Sequence, residues 1–320
     1  MLIINYLYRD YGETMLDIEE LLSDVIGRIN LETGVDLPFV SKQHIEGVSS
    51  ETYKITTDEM SRRYNREKGE YEIYSIPTPM GLDKCRQEKI VDYLSMSISR
   101  LLGKITSKSR VLIVGLGNRH ISSDSLGARV CNKIAVTIDA KSMPTVMAIC
   151  PSVLGLTGIE TYDIISGVMD KVNPTHLILI DSLCASSVER LARSIQLSST
   201  GLCPGSGIGN NRRCIDKSLC GKIMSIGVPL LIFASTFIRE TFTKNNIDFN
   251  SIKDIMQNTE NMSNNESFLD FIDAIRRVYN DDLDGVIVSH KDIDAMVETL
   301  SEMIAMAINK SLGVLELIDR

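Results

Sequence analysis

Two aspartates stand where a sequence can place acid–base chemistry. Asp181 directly follows the apolar run His176-Leu-Ile-Leu-Ile180. A carboxylate is costly to bury, and at a strand tip it can aim into a crevice. Asp124 lies in the loop and helix start after another apolar run, Val111-Leu-Ile-Val114. Taken alone, each reads first as a local structural residue. Asp124, with Ser122 and Ser123, suits a helix cap, and Asp181 suits a turn or a cap. Together they can do more. Like charges a few ångströms apart do not both ionise easily, so such a pair shares one proton. The ionised member can take a proton from water. The protonated one can hydrogen-bond a carbonyl and then protonate a leaving amine. That chemistry suits peptide hydrolysis without a metal.

Other motifs carry less. Gly115-Leu-Gly-Asn118 follows a strand, but His120 stands where a dinucleotide-binding turn needs glycine. Gly205-Ser-Gly-Ile-Gly209 follows Pro204 and lacks the ending of a phosphate loop. It reads as a tight loop whose amides approach a substrate or a neighbouring strand. His120 is a candidate base or metal ligand beside Asp124, with a surface histidine as the plainer reading. Cys184 has no evident histidine partner and reads as buried packing.

The elements that must position these residues alternate. Val111–Val114 reads as a short strand buried on both faces, Thr145–Cys150 as a second strand and His176–Ile180 as a third, buried one. Between them come a helix through Val136 and a helix from a capping box, Thr157 to Glu160, up to Val172, stopped by Asn173-Pro174. Ser194–Ser198 and Lys222–Val228 read as further strands. Pro229 ends the latter, and a helix follows to Phe242. The expected fold is α/β, a three-layer doubly wound and mostly parallel sheet. In such a sheet both aspartates reach the carboxyl edge.

Four segments organise the chain. Residues 1–109 form an N-terminal α+β segment packed on the core, with amphipathic helices at Leu16–Ile29 and Gln87–Leu102. Strand-like pieces run from Thr52 to Tyr74 around a charged turn. Residues 110–243 are the catalytic α/β core, 244–288 a polar insertion, and 289–320 a C-terminal helix. That helix carries Ile293, Met296, Val297, Leu300, Ile304, Ala307 and Ile308 on one stripe, with Gly313 as C-cap.

Bulk properties narrow the function. The net charge of -8 disfavours a general nucleic-acid binder, and Arg212, Arg213 and Lys217 read as solvated surface. Seven cysteines, an odd number, sit partly in apolar runs, the usage of a reducing compartment. Cys203, Cys214 and Cys220 lack a CxxC pair or a nearby histidine, which argues against zinc. Met1–Tyr8 has no basic n-region or small-residue cleavage site, and no apolar run is long enough to span a bilayer.

Several motifs in order resemble the spore germination protease family. They are Gly115-Leu-Gly-Asn118, Asp124-Ser-Leu-Gly127, Gly155-Leu-Thr-Gly-Ile-Glu-Thr161, Ile180-Asp181, Glu189-Arg190, Pro204-Gly-Ser-Gly-Ile-Gly-Asn210 and Ile226-Gly-Val-Pro229. The resemblance implies an endopeptidase of the forespore and spore-core cytoplasm, made as a self-processing zymogen and assembled as a homotetramer. It implies small acid-soluble spore proteins as substrate. It also implies a core like that of hydrogenase-maturation proteases, with catalytic acids at Asp124 and Asp181. Asn118, Gly205, Ser206, Gly207 and Gly209 are then expected to shape the substrate cleft, with no cofactor and no metal. A short segment ahead of Arg9-Asp10 would be the propeptide. Two rivals follow: a metal-assisted protease using His120, and a homologue that binds spore proteins without cutting them. Departures from the family pattern at Arg119, Ser186, Cys203 and Phe233 motivate the second.

Overall fold

The computed structural model describes residues 39–45, 48–64, 66–138, 141–204, 213–244 and 286–315. The helix expected at 16–29, the segment ahead of Arg9, the glycine loop at 205–212 and most of the polar insertion lie outside them.

Among the described residues, the chain forms a nine-stranded mixed sheet. The strands are β1 (Phe39–Ile45), β2 (Val48–Ile55), β3 (Gly69–Ser75), β4 (Arg110–Gly115), β5 (Thr145–Ile149), β6 (His176–Cys184), β7 (Ser194–Ser198), β8 (Ile223–Phe233) and β9 (Ile287–Val288). Their order is β1-β2-β3-β7-β8-β6-β4-β5, with β9 paired to the end of β8. The four strands β8, β6, β4 and β5 are parallel. β7 pairs antiparallel to β8, and β3, β2 and β1 continue antiparallel. The strands before residue 76 therefore prolong the core sheet.

The helices are α1 (Asp58–Tyr64), α2 (Lys84–Leu102), α3 (Leu126–Cys131), α4 (Leu154–Thr157), α5 (Thr161–Val172), α6 (Ala234–Lys244) and α7 (Ile293–Ser311). Alternation along β4 decides which face each helix covers. Val111 and Ile113 face α2, α3 and α7 with Ile90, Leu94, Ile98, Leu126, Val297, Leu300 and Ile304. Leu112 and Val114 face α5 with Ile165 and Met169. All seven residues of the apolar stripe on α7 are buried, and Gly313 takes a left-handed φ of 70° after it. At the antiparallel end Tyr53, Ile55, Tyr64 and Ile73 make a small separate core.

Several sequence-derived boundaries are corrected. The capping box at Thr157 is not formed. Gly158, left-handed, ends the short α4, and Thr157 Oγ1 turns to Val153 O (3.2 Å) and Ile159 N (3.2 Å). α5 starts three residues later, with Glu160 at the cap position and no side-chain cap bond. α3 stops at Cys131 rather than Val136. The Asn309 amide on α7 takes the Ala135 N–H (3.0 Å) and donates to Lys133 O (3.0 Å), which draws the chain off the helical path. β8 runs through Pro229. The missing N–H would point toward β7, whose pairing with β8 reaches only Gly227, so no ladder bond is lost. The Pro229 carbonyl on that side accepts from Ala192 N (2.7 Å). β7 is antiparallel, and the segment 52–74 contains α1, which alternation of strand-like pieces did not show.

Two of the cysteines read as reduced are joined. Leu202 and Ile215 exchange both backbone hydrogen bonds (3.0 and 2.8 Å), which sets Cys203 opposite Cys214 across the bridge. They form a disulfide with Cα atoms 4.0 Å apart.

Candidate active site

The connections out of β4 and β6 decide where the two aspartates meet. From β4 the chain crosses to β5 on one side, then returns past β4 to β6 on the other. The crevice at such a reversal, on the carboxyl side, is where open α/β sheets place ligands. Leu116 N donates to Ile180 O (2.8 Å), so the loop after β4 departs beside the residue that precedes Asp181.

That loop is built to fold back. Gly117 has φ 92°, a conformation natural only to glycine. A Cβ there would lie 2.2 Å from Asp124 O and 2.6 Å from Asp124 Oδ1. The Asp124 carboxyl instead closes over the turn and accepts from Asn118 N (2.7 Å). Asn118 Oδ1 accepts from His120 N (3.0 Å), and Ile121 N donates to Asn118 O (3.1 Å). The Asn118 main-chain donor is thus committed to Asp124. Asp124 closes a 3-10 turn, Ser122–Asp124, that runs directly into α3.

Asp181 lies within β6, which continues four residues further than the sequence reading allowed, to Cys184. Beyond Asp181 the strand keeps pairing with β8, Asp181 opposite Gly227. A Cβ at Gly227 would strike the Leu183 side chain at 2.4 Å. Ser182 N donates to Asp181 Oδ1 (2.9 Å). Asp181 keeps a partly accessible surface, but the protein around its carboxyl leaves it little hydration. Burial first, and the Asp124 charge second, push its pKa up to about 8, against the weaker pull of the Ser182 N–H. Burial also raises the pKa of Asp124, and the Asn118 N–H counteracts it. The two carboxyls therefore sense each other, and Asp124 ionises first.

Arg129 braces this edge from behind, a feature the sequence reading missed. Its guanidinium donates to Ser125 Oγ (3.0 Å), Glu298 Oε2 (2.8 Å) and Asp294 Oδ1 (2.9 Å), tying the turn after Asp124 to α7. The legible signal was the Asp294/Glu298 spacing, one turn apart on one helix face. The contact between α3 and β4 is equally tight. A Cβ at Gly127 would lie 2.5 Å from both Leu116 N and Leu116 O, which are main-chain atoms with no room to yield. Gly127→Ala is expected to cost about 1–3 kcal/mol of stability, read as a lower denaturation midpoint.

The remaining expected site residues are distributed as follows. Gly205, Ser206, Gly207 and Gly209 lie outside the described residues; Cys203 and Cys214 fix the two ends of their segment. His120 is exposed. Among the described residues no three His, Cys, Asp or Glu side chains are grouped to hold a metal. Of the departing positions, Arg119 is exposed, Ser186 is buried and Cys203 is in the disulfide. Among the described residues no helix is long and apolar enough to cross a membrane.

A family model described as germination protease matches residues 32–267. A germination protease of Caldanaerobacter subterraneus subsp. tengcongensis is 32% identical over 299 residues, covering 87% of this chain and 89% of its own. One from Clostridium acetobutylicum is 33% identical over 292 residues, covering 85% and 87%. One from Bacillus licheniformis is 35% identical over 215 residues, covering 63% and 58%. With matches of this length on both sides of the aspartate pair, the chain belongs to the germination protease family, and it is a peptidase of spore germination.

Proposed function

We propose that this peptidase is an endopeptidase that opens the degradation of small acid-soluble spore proteins, with Asp124 and Asp181 as its two catalytic acids. The single observation that supports it most is the electrostatic contact of two half-buried carboxyls at the crossover crevice, one of them held protonated to about pH 8.

The chemistry follows from that split. Asp124, ionised, takes a proton from a water whose oxygen attacks the peptide carbonyl carbon. Asp181, protonated, hydrogen-bonds the carbonyl oxygen as negative charge grows on it. Collapse of the tetrahedral intermediate breaks the C–N bond, and Asp181 gives its proton to the departing amine. The pair then holds the one proton taken from water, now on Asp124, and its passage to Asp181 restores the starting state. Asn118 acts as a positioning residue, since its N–H fixes Asp124. Gly205, Ser206, Gly207 and Gly209 would carry main-chain contacts to the extended substrate. The assembly is a homotetramer made as a zymogen in the forespore, and the core is kin to hydrogenase-maturation proteases. Membership of the germination protease family is the ground for these last readings.

The test is incubation of the purified chain with a small acid-soluble spore protein, with fragments read by mass spectrometry. Discrete internal cuts are expected. Binding without any fragment, even after N-terminal trimming, would sink the endopeptidase reading and favour a homologue that only binds.

A further inference from the structure

Two of the cysteines outside the disulfide, Cys131 and Cys150, are neighbours at the catalytic edge. Cys150 follows β5 directly, on the side of the sheet where β4 and β6 carry the aspartates. Cys131, the last residue of α3, sits in the apolar cluster against which Cys150 packs. Cys131 is buried and Cys150 only half-buried. The Cys131 S–H donates to the carbonyl of Ile149, the residue before Cys150, at 3.5 Å. It is backed by Gly115, where a Cβ would lie 2.9 Å from Cys131 Sγ. Arg119, exposed in the loop between β4 and the Ser122–Asp124 turn, sets a positive charge toward Cys150. The peptidase reading uses none of these three groups.

A cysteine that only packs is buried in apolar surroundings and holds its proton tightly, as Cys220 does. Cys150 is arranged the opposite way, with a neighbouring S–H donor, a nearby cation and a path to solvent. We propose that Cys150 is a modification site for small hydroperoxides, with Cys131 as the thiol that captures the oxidised sulfur. The Cys131 donor and the Arg119 charge lower the Cys150 pKa to about 7, so the thiolate is well populated in neutral solution. The thiolate attacks the distal peroxide oxygen. The O–O bond breaks, alkoxide or hydroxide leaves, and Cys150 becomes a sulfenic acid. The Cys131 sulfur then attacks the Cys150 sulfur. Its proton and the sulfenic hydroxyl leave as water, and a disulfide remains. Overall, two thiols are oxidised by two electrons and one hydroperoxide is reduced.

The experiment treats the full chain with stoichiometric hydrogen peroxide at pH 7, alkylates the remaining thiols and maps peptides without reduction. The expected result is a linked pair of peptides containing Cys131 and Cys150, lighter by two hydrogens, with the exposed Cys85 still alkylated. In Cys131→Ser the reaction stops at a sulfenic acid on Cys150, captured by a 1,3-diketone reagent. In Arg119→Ala, an exposed position, Cys150 is consumed about threefold more slowly, because the thiolate lost with the cation outweighs the accompanying gain in intrinsic nucleophilicity. Oxidation of Cys85 ahead of Cys150 would overturn the proposal, as would loss of the Cys150 thiol while Cys131 stays fully alkylatable. The readout is mass, so the result stands apart from whether the chain cuts any substrate.

Discussion

Asp181→Asn removes cleavage of a spore-protein substrate, lowering kcat by about a hundredfold to ten-thousandfold, while the fold survives. Asparagine keeps the shape of the side chain and an oxygen for the Ser182 N–H, which now reaches Asp181 Oδ1 at 2.9 Å. What it lacks is a transferable proton. The thermal consequence has a definite sign. In the folded protein Asp181 holds its proton to about pH 8, whereas an unfolded aspartate releases it near pH 3.9. The folded state therefore binds more protons than the unfolded one across that window. The contribution of Asp181 to stability is therefore fully present below about pH 4 and is lost as pH rises toward 8. One such group has a ceiling of about 1.4 kcal/mol per pH unit, and the accessible edge of Asp181 keeps it below that. Asparagine is neutral throughout, so the variant should match wild type in mild acid and unfold at a higher temperature than wild type at pH 8. Melting curves at both pH values check the fold, and single-turnover cleavage checks the chemistry. A variant that retained more than about a tenth of wild-type rate would end the two-acid mechanism, because some other group would then be supplying the proton.

The parallel strands were legible because burial on both faces leaves a continuous apolar run, as at Val111–Val114 and Leu177–Ile180. The α7 stripe was legible for the same reason in its helical form. Where local chemistry competes with tertiary context, the reading slipped. Thr157 and Glu160 have the spacing of a capping box, yet Gly158 between them takes the left-handed turn that ends one helix before the next begins. Pro229 reads as a strand end, and only the limited reach of β7 along β8 shows that its absent N–H is harmless. At the site, the carboxyl pair followed from two strand ends and the parallel rule. The direction and cause of each pKa shift did not, since desolvation is a property of the assembled crevice. Nor could spacing show that Cys131 and Cys150, nineteen residues apart, share one corner. That contact exists because α3 packs on β4 through Gly115 and Gly127, with β5 alongside.

The pH profile of cleavage separates the two acids. If Asp124 must be ionised and Asp181 protonated, kcat/KM rises with the ionisation of Asp124 and falls with that of Asp181. The rising limb lies above that of an exposed aspartate, because burial raises Asp124. The falling limb bends near pH 8 and then drops tenfold per pH unit. These are properties of the pair, since each proton lost changes the field on the other. Asp124→Asn supplies the internal control. It abolishes cleavage, and it also removes the negative charge that helps raise Asp181. The Asp181 carboxyl should then titrate below its wild-type value, while desolvation still holds it above an exposed aspartate. Isotope-edited spectroscopy of the carboxyl stretch reads this directly in a protein that no longer turns over. An Asp181 pKa unmoved by Asp124→Asn would mean that the carboxyls do not interact, and the shared-proton basis of the mechanism would fail even with both residues essential.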